Sequence, residues 1–240
     1  MIGSDHMVLT GERMATDKEL FDGVKAICAR MYPGFEIDFK TRNIREKIWG
    51  FVVKPFCPDY MTRYTTTFMN KVIFPSEEFM NEPGRWKILS HELVHLVDQT
   101  QHRVSMPITY IFPQILAVGA LGAIGAIWNL WWLFCLLFLI FLGPWPSPGR
   151  QKWEMNGYRM TMAVNFWRYG SIGQPTKDWI VSGPLLGLGY YKMCWSKKKA
   201  VEMVNAAAVR VESGDVLNDP APNPFKEVHD LLKSLGAATK

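Results

Sequence analysis

The sequence predicts an α+β fold: a small unit of helix, mixed or antiparallel strands and a histidine-bearing helix, interrupted by an apolar hairpin and followed by a mainly helical C-terminal part. Three observations lead there. Helical and strand-like periodicities alternate up to residue 106, His91-Glu92-Leu93-Val94-His95 falls on a helical pattern, and Ile108 to Leu142 carries no charged residue. The expected divisions are 1–15 (a flexible N-terminus), 16–106, 107–143 (the hairpin) and 144–240.

From Thr16, a cap signal, Leu20, Phe21, Val24, Ile27, Cys28 and Met31 repeat at helical spacing until Tyr32-Pro33-Gly34 stops them. Three strands are expected next. Phe35 to Phe39 alternates strictly, while Lys47 to Lys54 and Tyr64 to Phe74 are rich in aromatic and β-branched residues. Glu82-Pro83-Gly84 breaks the chain, and Trp86, Leu89, Leu93, Leu96 and Val97 mark a helix from Arg85. After the apolar segment and Gly143 to Gly149, helical pattern resumes from Trp153 to Trp167. Residues 170 to 195, with five glycines and two prolines, read as a packed loop. Helices from Ser196 to Val211 and from Phe225 to Leu235 finish the chain, and no internal repeat is expected.

A chain of 240 residues that is 48 % hydrophobic has material for a substantial core. Its net charge of +5 is modest, and apart from Lys197-Lys198-Lys199 the basic residues are scattered, so nucleic acid is not expected as a partner. Cys28, Cys57, Cys135 and Cys194 are widely spaced and form no C-x-x-C pair, which points away from a disulfide framework or a cysteine-based zinc site.

Two histidines at i and i+4 stand about 40° apart around a helix and one turn apart along it, so both imidazoles reach one metal ion. Glu92, rotated by about 100° from His91, falls beside the metal's open position. There it can take a proton from the activated water and pass it to a leaving amine. The metal this pattern implies is zinc and the chemistry hydrolytic. The strand ending in Val72-Ile73-Phe74, just ahead of the helix, agrees with the zincin arrangement, in which an edge strand lies over that helix and pairs with a peptide substrate.

A catalytic zinc takes a third protein ligand. His102 lies seven residues beyond His95, about 10.5 Å along a helix, and no glycine turn brings it back. Glu154 is the better choice, since it opens a helix after the long insertion, with Tyr158 one turn later on the same side. This is the gluzincin pattern. Tyr158 is then a candidate hydrogen-bond donor to a tetrahedral oxyanion, or simply a ring packed against the histidine helix. Asp98 is a candidate partner for an imidazole, or a solvated carboxylate.

If His91, His95 and Glu154 share one ion, the apolar segment must leave and return on the same side of a membrane. Asn129, among tryptophans, offers the turn. An α-helical Ile108 to Ile127 would be about 30 Å long, but Leu130 to Leu142 only about 20 Å, short for a full crossing. Arg85, Lys87 and Arg103 precede the segment and Arg150, Lys152 and Arg159 follow it, so both ends, and the site, are expected on the cytoplasmic face. Gly119, Gly122 and Gly125 recur every three residues and would admit a close neighbour, either the returning arm or a second copy in a homo-oligomer. The competing arrangement is one tilted helix of 29 residues from Gln114 to Leu142, which would strand Glu154 on the wrong side.

The order His91-Glu92-x-x-His95, apolar hairpin, Glu154 resembles the layout of HtpX-type and CAAX-prenyl membrane peptidases over residues 85 to 165. In those enzymes the glutamate helix continues with an alanine and an aspartate, where this chain has Gly157 and Tyr158. Membrane helices that precede their motif are missing here, and Thr65-Thr66-Thr67 and Asn70 to Pro75 look more like minimal soluble zincins. The resemblance implies zinc, a hydrolytic water and cleavage of a peptide or protein substrate. The expected protein is a membrane-anchored zinc endopeptidase in contact with lipid. The alternative is a membrane-inserting structural or assembly protein, of viral type, with a structural or vestigial zinc site.

Overall fold

The computed structural model describes residues 15 to 55, 57 to 190 and 192 to 239, so the expected flexible N-terminus lies almost wholly outside them. Helix α1 (Asp17–Met31) begins at a capping box in which Thr16 and Glu19 satisfy each other's backbone N–H groups. Strand β1 (Glu36–Phe39) follows, then helices α2 (Ile44–Val53) and α3 (Tyr60–Arg63), strands β2 (Thr66–Phe68) and β3 (Lys71–Phe74), and the short α4 (Glu77–Met80). Helix α5 (Arg85–Gln101) carries the histidines and α6 (Ser105–Ile111) leads into the apolar hairpin. Helix α7 (Pro148–Tyr169) carries Glu154. Beyond it lie α8 (Gln174–Ile180), a π-helical turn (Val181–Leu185), α9 (Lys197–Glu212) and α10 (Pro224–Ser234).

The sheet has the order β1-β3-β2, with β1 parallel and β2 antiparallel to β3. This corrects the expected edge: Lys71–Phe74 is the central strand, and of the two edge strands, β1 and β2, it is β2 that lies against α5. Val72 and Phe74 join the main core, Phe74 with its ring 6.2 Å from that of Phe21 on α1. Helix α1, the two site helices and α10 close that core around fully buried Leu20, Trp86, Leu89, Leu93, Met160 and Leu232. Asp17 fastens α1 to the start of α5, accepting from the Gly84 N–H with one oxygen and from the Trp86 indole with the other.

Lys47 to Lys54 is not a strand but most of α2. Asn43 caps it by accepting from the Arg45 and Glu46 N–H groups. β-Propensity reflects the fit of a side chain to a half-buried pleated surface, and here no such surface exists. Ile44, Ile48, Trp49, Phe51 and Val52 stay exposed, while the helix buries Glu46 against Tyr60, Thr66 and Lys40. Tyr64 to Phe74 is likewise two strands, β2 and β3, turned at Met69, whose φ is 53°. The stretch 170 to 195, expected as a loop, contains α8 and the π turn.

Among the described residues no single helix is long and apolar enough to cross a membrane. Residues 114 to 142 instead form two 3₁₀ arms, Gln114–Ile127 and Leu130–Leu142, turned at Asn129, whose side chain accepts from the Trp131 N–H. The single 29-residue helix is thereby excluded. The arms run antiparallel: a Cβ on Gly119 would meet Phe138, one on Gly122 would meet Cys135 and one on Gly125 would meet Trp132, all within 2.8 Å. The glycines thus receive the returning arm. Val118-Gly119-Ala120, Leu121-Gly122-Ala123 and Ile124-Gly125-Ala126 are in fact a three-residue repeat, although none was expected. Three residues per turn is the 3₁₀ period, which stacks the glycines on one face. Val118, Leu121, Ile124 and Ile127 share another face and are 61 %, 65 %, 66 % and 74 % exposed.

Candidate metal centre

Helices α5 and α7 pack antiparallel. Lys87 Nζ donates to Asn165 Oδ1 at one end, His91 Nδ1 lies 3.2 Å from Thr161 Oγ1, and His95 meets Glu154 further on. His91, His95 and Asp98 follow the i, i+4, i+7 stripe of α5, and Glu154, Gly157, Tyr158 and Thr161 form the facing stripe of α7.

His91 Nε2 and His95 Nε2 stand 3.1 Å apart, and Glu154 places Oε2 3.6 Å from the first and Oε1 3.8 Å from the second. Ligand atoms of the three residues all lie within 4.8 Å of one another, so the group could hold a metal ion. A tetrahedral ion bound at about 2.0–2.1 Å separates its ligands by about 3.3 Å; the nearest approaches here are 3.1 to 3.8 Å, with a different Glu154 oxygen turned to each histidine. The side chains of His91, His95 and Glu154 are 12 %, 7 % and 11 % exposed, so the whole cluster is largely buried.

The electrostatics match the donor set. Burial opposes charge on His95, yet the Glu154 carboxylate, with Glu92 and Asp98 beyond it, outweighs this and lifts the imidazole to about 9. Burial would likewise raise Glu154, but His95 and His91 hold it well below the usual carboxylate range. A metal ion taken up here would displace the proton of His95.

Glu92, buried and outside the three-residue cluster, accepts a 2.6 Å hydrogen bond from Thr67 Oγ1 on β2. Gln99 fixes that strand to α5 by donating to the Thr67 carbonyl and accepting from the Met69 N–H. Thr66, on the opposite face of the strand, turns to Glu46. The edge strand β2 therefore lies against the site helix and orients Glu92.

Tyr158 packs edge-on against His91 at 4.9 Å and against Trp179 at 5.9 Å. Asp98 accepts from Asn156 Nδ2 and not from an imidazole; the buried Nδ1 of His95 has no hydrogen-bond partner among the described residues. Burial raises the Asp98 carboxyl. His102 caps the end of α5, its ring lies tilted against Trp153 at 5.0 Å, and it is not part of the cluster.

Two contributors were missed in the sequence. Tyr110 Oη, from the stem of the hairpin, donates to Glu154 Oε1. Its only signal is a phenol in an otherwise apolar run. Gly157 is the other: a Cβ there would stand 2.5 Å from His91 Cε1 and Nε2, so glycine lets the imidazole lie against α7. The stem itself is seated on the first turns of α7, where Trp153 Nε1 donates to Thr109 Oγ1 and Ser147 Oγ to the Thr109 carbonyl. Gln114 Nε2 donates to the Gly143 and Trp145 carbonyls, so the hairpin's two ends meet.

No family model, characterised protein or solved structure matches this chain. What the site can do follows from its own donor set: two imidazoles and a carboxylate around one centre, with an oriented carboxylate beside them.

Proposed function

We propose that this chain is a zinc-dependent endopeptidase of gluzincin type, anchored to a membrane by its hairpin with the site on the cytoplasmic side. The observation that carries the reading is the convergence of Glu154 on His91 and His95 across an insertion whose ends meet, with Glu92 held beside them by the edge strand. His91, His95 and Glu154 would hold the ion. Nitrogen and oxygen donors in a three-residue set suit zinc, which would supply Lewis acidity and a water of lowered pKa.

The protein's own groups would do the rest. An extended substrate would lie along the free edge of β2, pairing its backbone with the strand. Glu92, oriented by Thr67, would take the proton of the attacking water and deliver it to the departing amine. Tyr158 would donate to the developing oxyanion from beside His91.

The hairpin supports the anchoring. Its outer aliphatic stripe is exposed, and at a 3₁₀ rise of about 2.0 Å per residue its arms reach about 28 Å and 26 Å, close to the hydrocarbon thickness of about 30 Å. The returning arm is then not short, as an α-helical rise would make it.

Purified protein should hold one zinc per chain, and Glu92→Gln should abolish proteolysis while zinc content and folding persist. Retained proteolysis would remove the enzyme assignment. Zinc without proteolysis in the parent would favour the second reading, a membrane-inserting assembly protein with a structural ion, to which the extent of the exposed hairpin surface also lends support.

A further inference from the structure

Beside the point where the hairpin leaves the domain lies a second exposed feature. Trp195 is 66 % exposed and shares a shallow groove with Pro113, Ile140, Phe141, Trp145 and Pro146, where the two arms join the rest of the chain. Its ring stands edge-on to Trp145 at 6.5 Å, and Lys192 Nζ lies 4.8 Å from its centroid. Immediately after it, Ser196 caps α9, whose first three residues, Lys197, Lys198 and Lys199, are all exposed.

That placement works against the helix. Cations in a first turn oppose the macrodipole, and acidic residues are the stabilising choice there. Among the described residues no carboxylate forms an ion pair with these three lysines. A local rule broken without benefit to the fold is characteristic of a functional surface.

We propose that Trp145, Trp195, Lys192 and Lys197 to Lys199 form a footing that seats the domain on a bilayer containing anionic phospholipid, at the level where the hairpin enters it. This rests on the membrane reading of the hairpin and adds the lipid class that reading leaves open. Tryptophan is the side chain of the bilayer interface, with an apolar body for the acyl region and an N–H for the headgroups. Lysines a few residues away on the same segment lie at headgroup height, where the negative surface potential attracts them. An acidic protein partner would also meet the lysines, but it would not account for two indoles at the mouth of the apolar groove. Pro148, which starts α7 at the hairpin base, is six residues from Glu154, about 9 Å along the helix, so the footing would hold the metal site just above the headgroups.

The test uses the full chain and two kinds of vesicle, phosphatidylcholine alone and phosphatidylcholine with phosphatidylglycerol. The parent should bind both, more tightly when the anionic lipid is present, and high salt should erase the difference. Lys197→Gln/Lys198→Gln/Lys199→Gln should bind neutral vesicles as the parent does and lose affinity for anionic ones by on the order of a hundredfold, since each lysine near such a surface contributes a factor of about five. Trp195→Ala should weaken binding to both severalfold. The control is Lys18→Gln/Lys226→Gln/Lys233→Gln, on α1 and α10 away from the hairpin, which should bind as the parent does.

An unchanged affinity of the α9 triple variant for anionic vesicles, or an equal loss in the control, would overturn the footing while leaving the hairpin anchor intact. A parent that binds neither vesicle would overturn the membrane reading itself, and the footing with it.

Discussion

Gly157 lies directly beneath the His91 imidazole, and a single added methyl would stand 2.5 Å from the ring's Cε1 and Nε2. A glycine in the interior of α7 costs the helix about 1 kcal/mol relative to alanine, so the position sacrifices local stability for the approach of a candidate ligand. Gly157→Ala should therefore leave unfolding stability within about 1 kcal/mol of the parent, because the propensity gain offsets the crowding. Metal affinity should fall by about tenfold or more, as the ring is pushed off its position. Chelator competition together with thermal melting separates the two effects, and an unchanged affinity would show that the ring has room to move.

Tyr110 joins the hairpin stem to Glu154. Groups that orient a metal ligand from behind contribute roughly ten- to a hundredfold in affinity, and Tyr110→Phe removes only the hydroxyl. A loss in that range, measured by competition and with the circular dichroism spectrum unchanged, is expected. Parent-like affinity would reduce Tyr110 to a packing residue.

Thr67→Val keeps the shape of the side chain and deletes the 2.6 Å donor to Glu92. Hydrogen bonds to charged groups contribute about 1.5–3 kcal/mol. Peptidase turnover should drop by about tenfold or more while metal content stays at the parent level. An equal fall in both would place Thr67 in support of the whole centre and not of Glu92 alone.

Lys40 offers a test away from the metal. It is fully buried, donates to the Tyr60 carbonyl at 2.8 Å and lies 4.0 Å from Glu46. Burial lowers its pKa from 10.5 to about 8, against the pull of Glu46, Glu92 and Cys57. Below about 8 both the folded and unfolded chains carry the charge, and the folded chain bears a penalty of about 3 kcal/mol. Between about 8 and 10.5 the unfolded chain binds the proton that the folded one has released, so this contribution to stability rises with pH. Cys28, pushed up to about 12 by burial, has the opposite effect above 9, so the comparison must be made against Lys40→Met. Denaturant titrations at pH 7 and pH 10 should show the parent gaining on Lys40→Met at the higher pH. A difference independent of pH would mean that Lys40 stays charged in the fold.

The helices that frame the site were legible because their signals are local. Thr16 with Glu19, the break at Pro83-Gly84 and the cap at Ser196 satisfy or interrupt backbone groups within a turn of themselves, so neighbouring residues suffice to place the ends of α1, α5 and α9. The fate of Lys47 to Lys54 was not legible in this way. Ile48, Trp49, Phe51 and Val52 suit a strand only if a sheet offers them a face, and the helix they form instead buries Glu46 just ahead of them. The three-residue period of the hairpin was present in the chain, but its meaning depends on Trp132, Cys135 and Phe138 arriving against it.

For the site, the sequence by itself determined the chemistry of the pieces: two imidazoles one helical turn apart, a carboxylate next to the first, and a distant Glu154 that could join them only if the apolar segment came back. Whether it comes back is a matter of where Gln114 and Gly143 sit in space, and only the tertiary structure decides that, as it decides that Tyr110, Thr67 and Gly157 serve the same centre. The physical reason is range. Caps and helical stripes arise from interactions within a few residues, whereas ligand convergence depends on packing between α5 and α7, whose facing residues lie about 60 positions apart in the chain.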